Sequence, residues 1–264
     1  MSKTVMLIHG AWLTPAAFDL FRGRYEAQGY TVVAPPWPLC DRPIAALRRS
    51  PHPDLAKLTI GTIVDHYDRL IRAQPEAPII MGHSYGGLFT ELLLDRGLGV
   101  AGVALQPVPI RGVMARPRTV LSALPVYLAW WGWSRVLTMS FAEFATNFAQ
   151  NLPEDERRAA YDRYVVPTPG RIYFQGALGI GTGIKANNPR RAPLLLIAGE
   201  KDRTIVPSMV WATYRKQLHA PSATAFMSFP GRSHFLFAEP GWEEVADAAL
   251  EWASQHARRP HDER

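Results

Sequence analysis

The chain has one cysteine, Cys40, in 264 residues. A lone thiol excludes an internal disulfide framework and any multi-cysteine metal site. In a loop it reads as a small apolar filler rather than a reactive group. Long hydrophobic runs are also missing. The most apolar window, residues 120–133, meets Arg135 before it could span a bilayer, and residues 1–8 are shorter still. No membrane span is expected; the window at residues 120–133 reads either as an interfacial segment or, more plainly, as a lid over a pocket. The first run is interrupted early by His9-Gly10 and shows no signal-peptide pattern, so a cytoplasmic protein is expected. Net charge is +6, yet the basic residues are scattered, as at Arg48-Arg49, Arg116 and Arg118, Arg157-Arg158, Arg190-Arg191 and Arg258-Arg259. No basic stripe interleaved with aromatics is present, which argues against nucleic acid as a partner. Internal repeats and low-complexity segments are absent. What remains, 47% apolar and 20% charged, supports a sizeable core in one large domain, or in one domain with an insertion.

Apolar runs at residues 5–8, 31–34, 79–81, 100–105, 194–198 and 223–229 read as strands, and the uninterrupted ones as buried on both faces. Helical periods lie between them. Thr14 offers an N-cap and Pro15 a first helical position ahead of Phe18, Phe21 and Tyr25, with Gly29 at the C-terminal end. Ile60, Ile63, Val64, Tyr67, Leu70 and Ile71 mark another helix; Trp242, Val245, Ala249 and Trp252 mark the last. Residues 35–53 are proline-rich and read as a loop with one helical turn at residues 44–48. From residue 109 to 189 the pattern is helical, with no dependable strand. There Phe141, Phe144 and Phe148 share a face, and Pro153 with Glu154, Asp155 and Glu156 opens a helix. The expected fold is α/β: a doubly wound, mostly parallel sheet of about six strands, with a helical cap inserted after the fourth strand. The core comprises residues 1–108 and 190–264, the insertion residues 109–189.

Ile79-Ile80-Met81-Gly82-His83-Ser84-Tyr85-Gly86-Gly87 carries the chemistry. A buried strand runs into Gly-x-Ser-x-Gly, and a helix follows at once. This context lifts the motif above a chance match and projects the Ser84 hydroxyl from the sheet edge as a candidate nucleophile. A serine hydroxyl needs a neighbouring base. Of the eight histidines, His52, His66, His219, His256 and His261 fall in loops, helices or the tail. His9 and His83 adjoin the key turns and read as structural. His234 follows the last strand, on the same rim as Ser84. The base needs a carboxylate to orient it. Asp202, just past the strand at residues 194–198, is favoured over Glu200, and the fourth strand ends in Leu105-Gln106-Pro107 without an acid.

Four segments together resemble those of α/β-hydrolases: His9-Gly10-Ala11-Trp12, Gly82-His83-Ser84-Tyr85-Gly86-Gly87, Gly199-Glu200-Lys201-Asp202 running to Val206-Pro207, and Gly231-Arg232-Ser233-His234. The likeness covers nearly the whole chain apart from the insertion, in the order Ser, Asp, His that this fold uses. It implies oxyanion donors at the backbone N–H of Tyr85 and of Ala11 or Trp12, and a cap over the acyl or alcohol pocket. Ser84 stands where epoxide hydrolases and haloalkane dehalogenases carry Asp. The short start resembles plant hydroxynitrile lyases and their methylesterase relatives, but Phe235 stands where the lyases have lysine. The expected activity is hydrolysis of a small or medium-sized apolar carboxylic ester or lactone through an acyl-enzyme on Ser84, with no cofactor and no metal. A non-hydrolytic reaction of the same site (haloperoxidase, acyltransferase or lyase) and a ligand-binding receptor on the same scaffold are the alternatives. The aromatic run Val126, Tyr127, Leu128, Trp130, Trp131 and Trp133 reads as ordinary helix packing or as a hydrophobic pocket roof. Oligomeric state leaves no mark in the sequence.

Overall fold

The computed structural model describes residues 2–258; Met1 and, of the charged tail expected from Arg258 onward, residues 259–264 with Arg259 and His261 lie outside the described residues. Strand β1 (Thr4–Ile8) is buried at every position, because helices cover both faces of a central parallel strand. Helix α1 (Asp19–Ala27) and strand β2 (Thr31–Val33) follow, then α2 (Ile44–Arg49) and α3 (Ile60–Arg72). Thr59 caps α3 by accepting from the Thr62 N–H at 3.0 Å. Strand β3 (Ile79–His83) leads through Ser84 into α4 (Tyr85–Asp95), and β4 (Ala101–Leu105) completes the first half.

The stretch before the next core strand contains α5 (Pro117–Leu128), β5 (Val136–Leu137), α6 (Phe141–Glu143), α7 (Glu154–Tyr164), β6 (Thr168–Pro169) and α8 (Arg171–Leu178). Alternation then resumes with β7 (Leu194–Gly199), α9 (Pro207–Gln217), β8 (Thr224–Phe229) and α10 (Trp242–His256). The six core strands form one parallel sheet in the order β2-β1-β3-β4-β7-β8. The chain steps from β1 outward to β2 and returns to β3 on the other side. The order therefore reverses between β1 and β3, and the crevice beyond their carboxyl ends is the place where such sheets bind ligands. Ile8 pairs with Gly82, so the loops after both strands emerge at the same level.

The structure departs from the sequence reading in three places. Thr14 forms no side-chain cap. The segment it precedes, Pro15–Phe18, is a 3₁₀ turn closed by the Thr14 carbonyl, which accepts from Ala17 N at 3.0 Å. The helix expected on Phe141, Phe144 and Phe148 widens after one turn into a π-helical turn, Phe144–Phe148, in which Ala149 N donates to Phe144 O at 2.9 Å. The insertion also holds an antiparallel ribbon, Val136 against Pro169 and Leu137 against Thr168. Two-residue strands are too short to leave a periodic trace. Cys40 is buried, and burial pushes its thiol up to about 11, so it stays protonated as a filler does.

Candidate active site

Ser84 is the single residue between β3 and α4, and it turns the chain at φ 57°, ψ −117°. An L-residue adopts this conformation only where its surroundings hold it. Ser84 N donates to Leu105 O at 2.9 Å, and Ser84 O accepts from Leu88 N and Val108 N, both at 3.1 Å. The turn also needs its flanking glycines. A Cβ on Gly82 would lie 2.1 Å from Gly86 O, and one on Gly86 would lie 2.0 Å from Ile8 O.

His234, in the loop after β8, has its Nδ1 2.6 Å from Asp202 Oδ2, and both side chains are fully buried. The other Asp202 oxygen accepts from Thr204 N at 2.7 Å and Ile205 N at 2.8 Å. With both carboxylate oxygens occupied, Asp202 fixes the tautomer in which His234 Nδ1 carries the proton and Nε2 bears a lone pair. That Nε2 is buried and has no hydrogen-bond partner among the described residues. Ser84 and His234 line the same cavity. The ring of Phe148, on the π-helical turn, meets His234 edge-on at 4.6 Å.

The remaining candidates sort by contact. His83 Nε2 donates to His234 O at 2.9 Å, and burial first, then the neighbouring His234, holds its pKa well below the usual histidine range. His9 stacks on Trp37 at 5.1 Å, its Nδ1 donates to Gly10 O at 2.9 Å, and burial lowers its pKa to about 4. Both are neutral and hold loops. Glu200 is not beside His234; its Oε2 accepts from Gly231 N at 2.8 Å and so braces the loop that carries it. Ala11 and Trp12 occupy the turn after β1, with Trp12 at φ 67° and bordering the cavity. Tyr85 opens α4, where backbone N–H groups lack intrahelical acceptors and the helix end is positive.

The sequence reading missed the residues that hold the His234 loop. Glu239 accepts from Ser233 N at 2.8 Å and from Ser233 Oγ at 2.7 Å, and Gln106 Nε2 donates to Ser233 O at 2.8 Å. Gln106 was visible only as the polar end of an apolar strand. The aromatic run is corrected in part. Val126 borders the cavity and Tyr127 a second lobe, and Trp133 packs edge-on against Phe174 of α8, but Leu128, Trp130 and Trp131 are exposed and border neither lobe.

The cavity has two lobes that share Ser84, Ser122, Ala123, Tyr173 and Thr204. The larger, about 200 Å³, is bordered by His234, Trp12 and Phe148; the smaller, about 100 Å³, by Tyr85, Val108, Ile205 and Met209. Among the described residues no cluster of His, Cys, Asp and Glu suits a metal ion, and no helix is long and apolar enough to cross a membrane.

A strained serine between a parallel strand and a helix, at the sheet's reversal point and beside a buried His–Asp pair, defines a class of α/β enzyme. The chain belongs to the alpha/beta hydrolase family, whose model matches residues 5–248. No curated protein sequence matches it. Among solved structures it is similar to a monoacylglycerol lipase from Paleococcus ferrophilus, at 20% identity and TM-score 0.69, over 96% of this chain and 95% of that one. It is similar to a pyrethroid hydrolase from Sphingobium faniae, at 20% identity and TM-score 0.65, over 96% and 98% of the two chains. It also resembles tomato methylketone synthase I, solved with 2-tridecanone, at 15% identity and TM-score 0.70, over 97% and 99%. At these identities the likeness is one of fold.

Proposed function

We propose that the protein is a serine carboxylic-ester hydrolase acting on small or medium-sized apolar esters or lactones. The observation that carries this reading is the 2.6 Å contact between His234 and Asp202, with the opposite ring nitrogen left unpaired on a cavity that Ser84 also lines. Ser84 Oγ attacks the carbonyl carbon while His234 Nε2 takes its proton. Asp202 orients the ring and stabilises the imidazolium. The carbonyl oxygen becomes an oxyanion facing the N–H of Tyr85 and that of Ala11 or Trp12, charge that exists only in the tetrahedral state. Collapse breaks the C–O bond, and His234 returns its proton to the leaving alcohol. Water then repeats the sequence on the acyl-Ser84 and regenerates the enzyme.

The two lobes give the substrate a direction. The leaving oxygen must come within hydrogen-bond reach of His234 Nε2, and His234 borders only the larger lobe. The alcohol portion therefore occupies that lobe, and the acyl portion the smaller one beside Tyr85. Residues 109–189 act as a cap, since α5 contributes Ser122 and Ala123 to both lobes. The lipase and hydrolase relatives support ester chemistry in general and leave the substrate to these lobes. A panel of p-nitrophenyl esters, with Ser84→Ala as blank, tests the reading. Turnover of short acyl esters that disappears in the variant is expected; turnover unchanged in Ser84→Ala, or none with any ester or lactone, refutes it.

A further inference from the structure

Helix α5 has two unlike sides. Ser122, Ala123 and Val126 face the cavity. Leu121, Leu124 and Leu128 recur at helical spacing on the other side, and Leu121 and Leu128 are 62% and 74% exposed. Beyond the helix Trp130 is 77% exposed. Trp131 packs edge-on between Trp130, at 6.0 Å, and Trp133, at 4.6 Å, so three indoles form one cluster. Trp133 reaches Phe174 of α8 at 6.2 Å, and the end of α8 carries exposed Leu178 and Ile180. Exposed indoles clustered in this way, with exposed leucines on the adjoining helix, mark an interaction site.

Charge identifies the partner. From residue 97 to residue 142 the chain has no Asp or Glu, and it has four arginines: Arg111, Arg116, Arg118 and Arg135. All four are exposed, and among the described residues none is paired with a carboxylate. Arg135 Nη1 donates to Trp130 O at 3.3 Å, which keeps its charge beside the indoles. The Arg111 side chain lies against Gly179, between Leu178 and Ile180. Exposed indoles and leucines on a stretch that carries four guanidinium groups and no acid of its own match the boundary of an anionic bilayer: the rings enter at headgroup level and the arginines meet phosphates. A second copy of the chain would set these arginines against themselves.

We propose that this face docks the protein peripherally on an anionic lipid surface, with α5 lying between the bilayer and the cavity. The proposal needs no catalytic role for Ser84, and it is tested without turnover. The full chain is sedimented with vesicles of phosphatidylcholine alone or of equimolar phosphatidylcholine and phosphatidylglycerol. Pelleting with the anionic vesicles, with indole emission shifted to the blue, is expected. Leu128→Ser combined with Trp130→Ser, and separately Arg116→Gln combined with Arg118→Gln, should each weaken partitioning roughly tenfold, with the thermal midpoint unchanged. No pelleting with anionic vesicles, or pelleting of both variants at the level of the unchanged protein, overturns the proposal. So does a concentration-dependent dimer that the Leu128 and Trp130 changes dissolve while vesicles stay unbound; the face would then belong to a second copy.

Discussion

Glu91, on α4, is fully buried; Gln217 Nε2 donates to its Oε2 at 2.8 Å, and its Oε1 has no partner. Burial, only partly offset by Gln217 and the charge of Arg191, raises its pKa from 4.5 to about 8. Between those values the folded chain keeps a proton that the unfolded chain has lost, so rising pH destabilises the fold. Glu91→Gln should therefore gain stability over the wild type across that window, reaching on the order of 2–4 kcal/mol near pH 8. Urea unfolding of both proteins from pH 5 to 8 checks this, and a constant difference contradicts it. His9 and His83 act in the opposite sense: they stay neutral when folded, and their contribution is lost as pH falls below 6.5. At the site, Asp202→Asn keeps the shape but favours the wrong His234 tautomer. Ester kcat should fall by roughly 10³–10⁴ with KM little changed. Gly86→Ala would force a Cβ to 2.0 Å from Ile8 O and should cost more than about 3 kcal/mol or prevent folding, as read by thermal unfolding.

Arg48 shows how the elements of the two chain segments are tied together. From α2 it donates to Val165 O at 2.7 Å, Tyr161 O at 2.9 Å and Asp162 O at 2.8 Å, carbonyls at the C-terminal end of α7, of which Tyr161 O also accepts from Val165 N at 3.1 Å. Arg48→Ala should destabilise by about 1–3 kcal/mol, measured as a shift in the urea midpoint. The lobes give an element-scale test of direction. Ala129→Phe, at the end of α5, should lower kcat/KM for bulky alcohols only, and Ala115→Phe for long acyl chains only; the reverse pattern contradicts the assigned orientation. Sequence carried much of this architecture. The strand–turn–helix around Ser84 was legible because β3 opens on the apolar run Ile79-Ile80-Met81 and because Gly82 and Gly86 are forced by backbone contacts near 2 Å. Asp202 and His234 were legible as polar residues just past apolar strands, and the structure brings them within hydrogen-bonding distance. Gln106 was not, because it meets Ser233 across 127 positions of chain, and Glu239 was not, because an acid six positions from Ser233 in a loop carries no spacing signal. Leu128 was misread because both sides of α5 are apolar, so periodicity cannot say which one the cavity takes, and Trp130 and Trp131 because they follow the end of α5 and no helical period assigns them a face.

At the scale of the molecule, the net charge of +6 is scattered in sequence but leaves one stretch, residues 97–142, with arginines and no acid. Helix α5 of that stretch borders the cavity, so on the proposed docking an apolar ester would pass from a lipid surface into the cavity along α5. Hydrolysis of an apolar ester carried in anionic vesicles should fall with added salt, while that of a soluble short ester should not, because screening weakens only the contact with the surface. Parallel rates at low and high salt check it. All of this chemistry depends on Ser84 being an activated nucleophile. A fluorophosphonate probe tests that directly, since such a serine attacks phosphorus as it attacks an acyl carbon. Peptide mass spectrometry should find one adduct, on Ser84, which forms far more slowly in His234→Ala. No adduct, or an adduct on Ser122 or Ser233 in its place, would contradict the account.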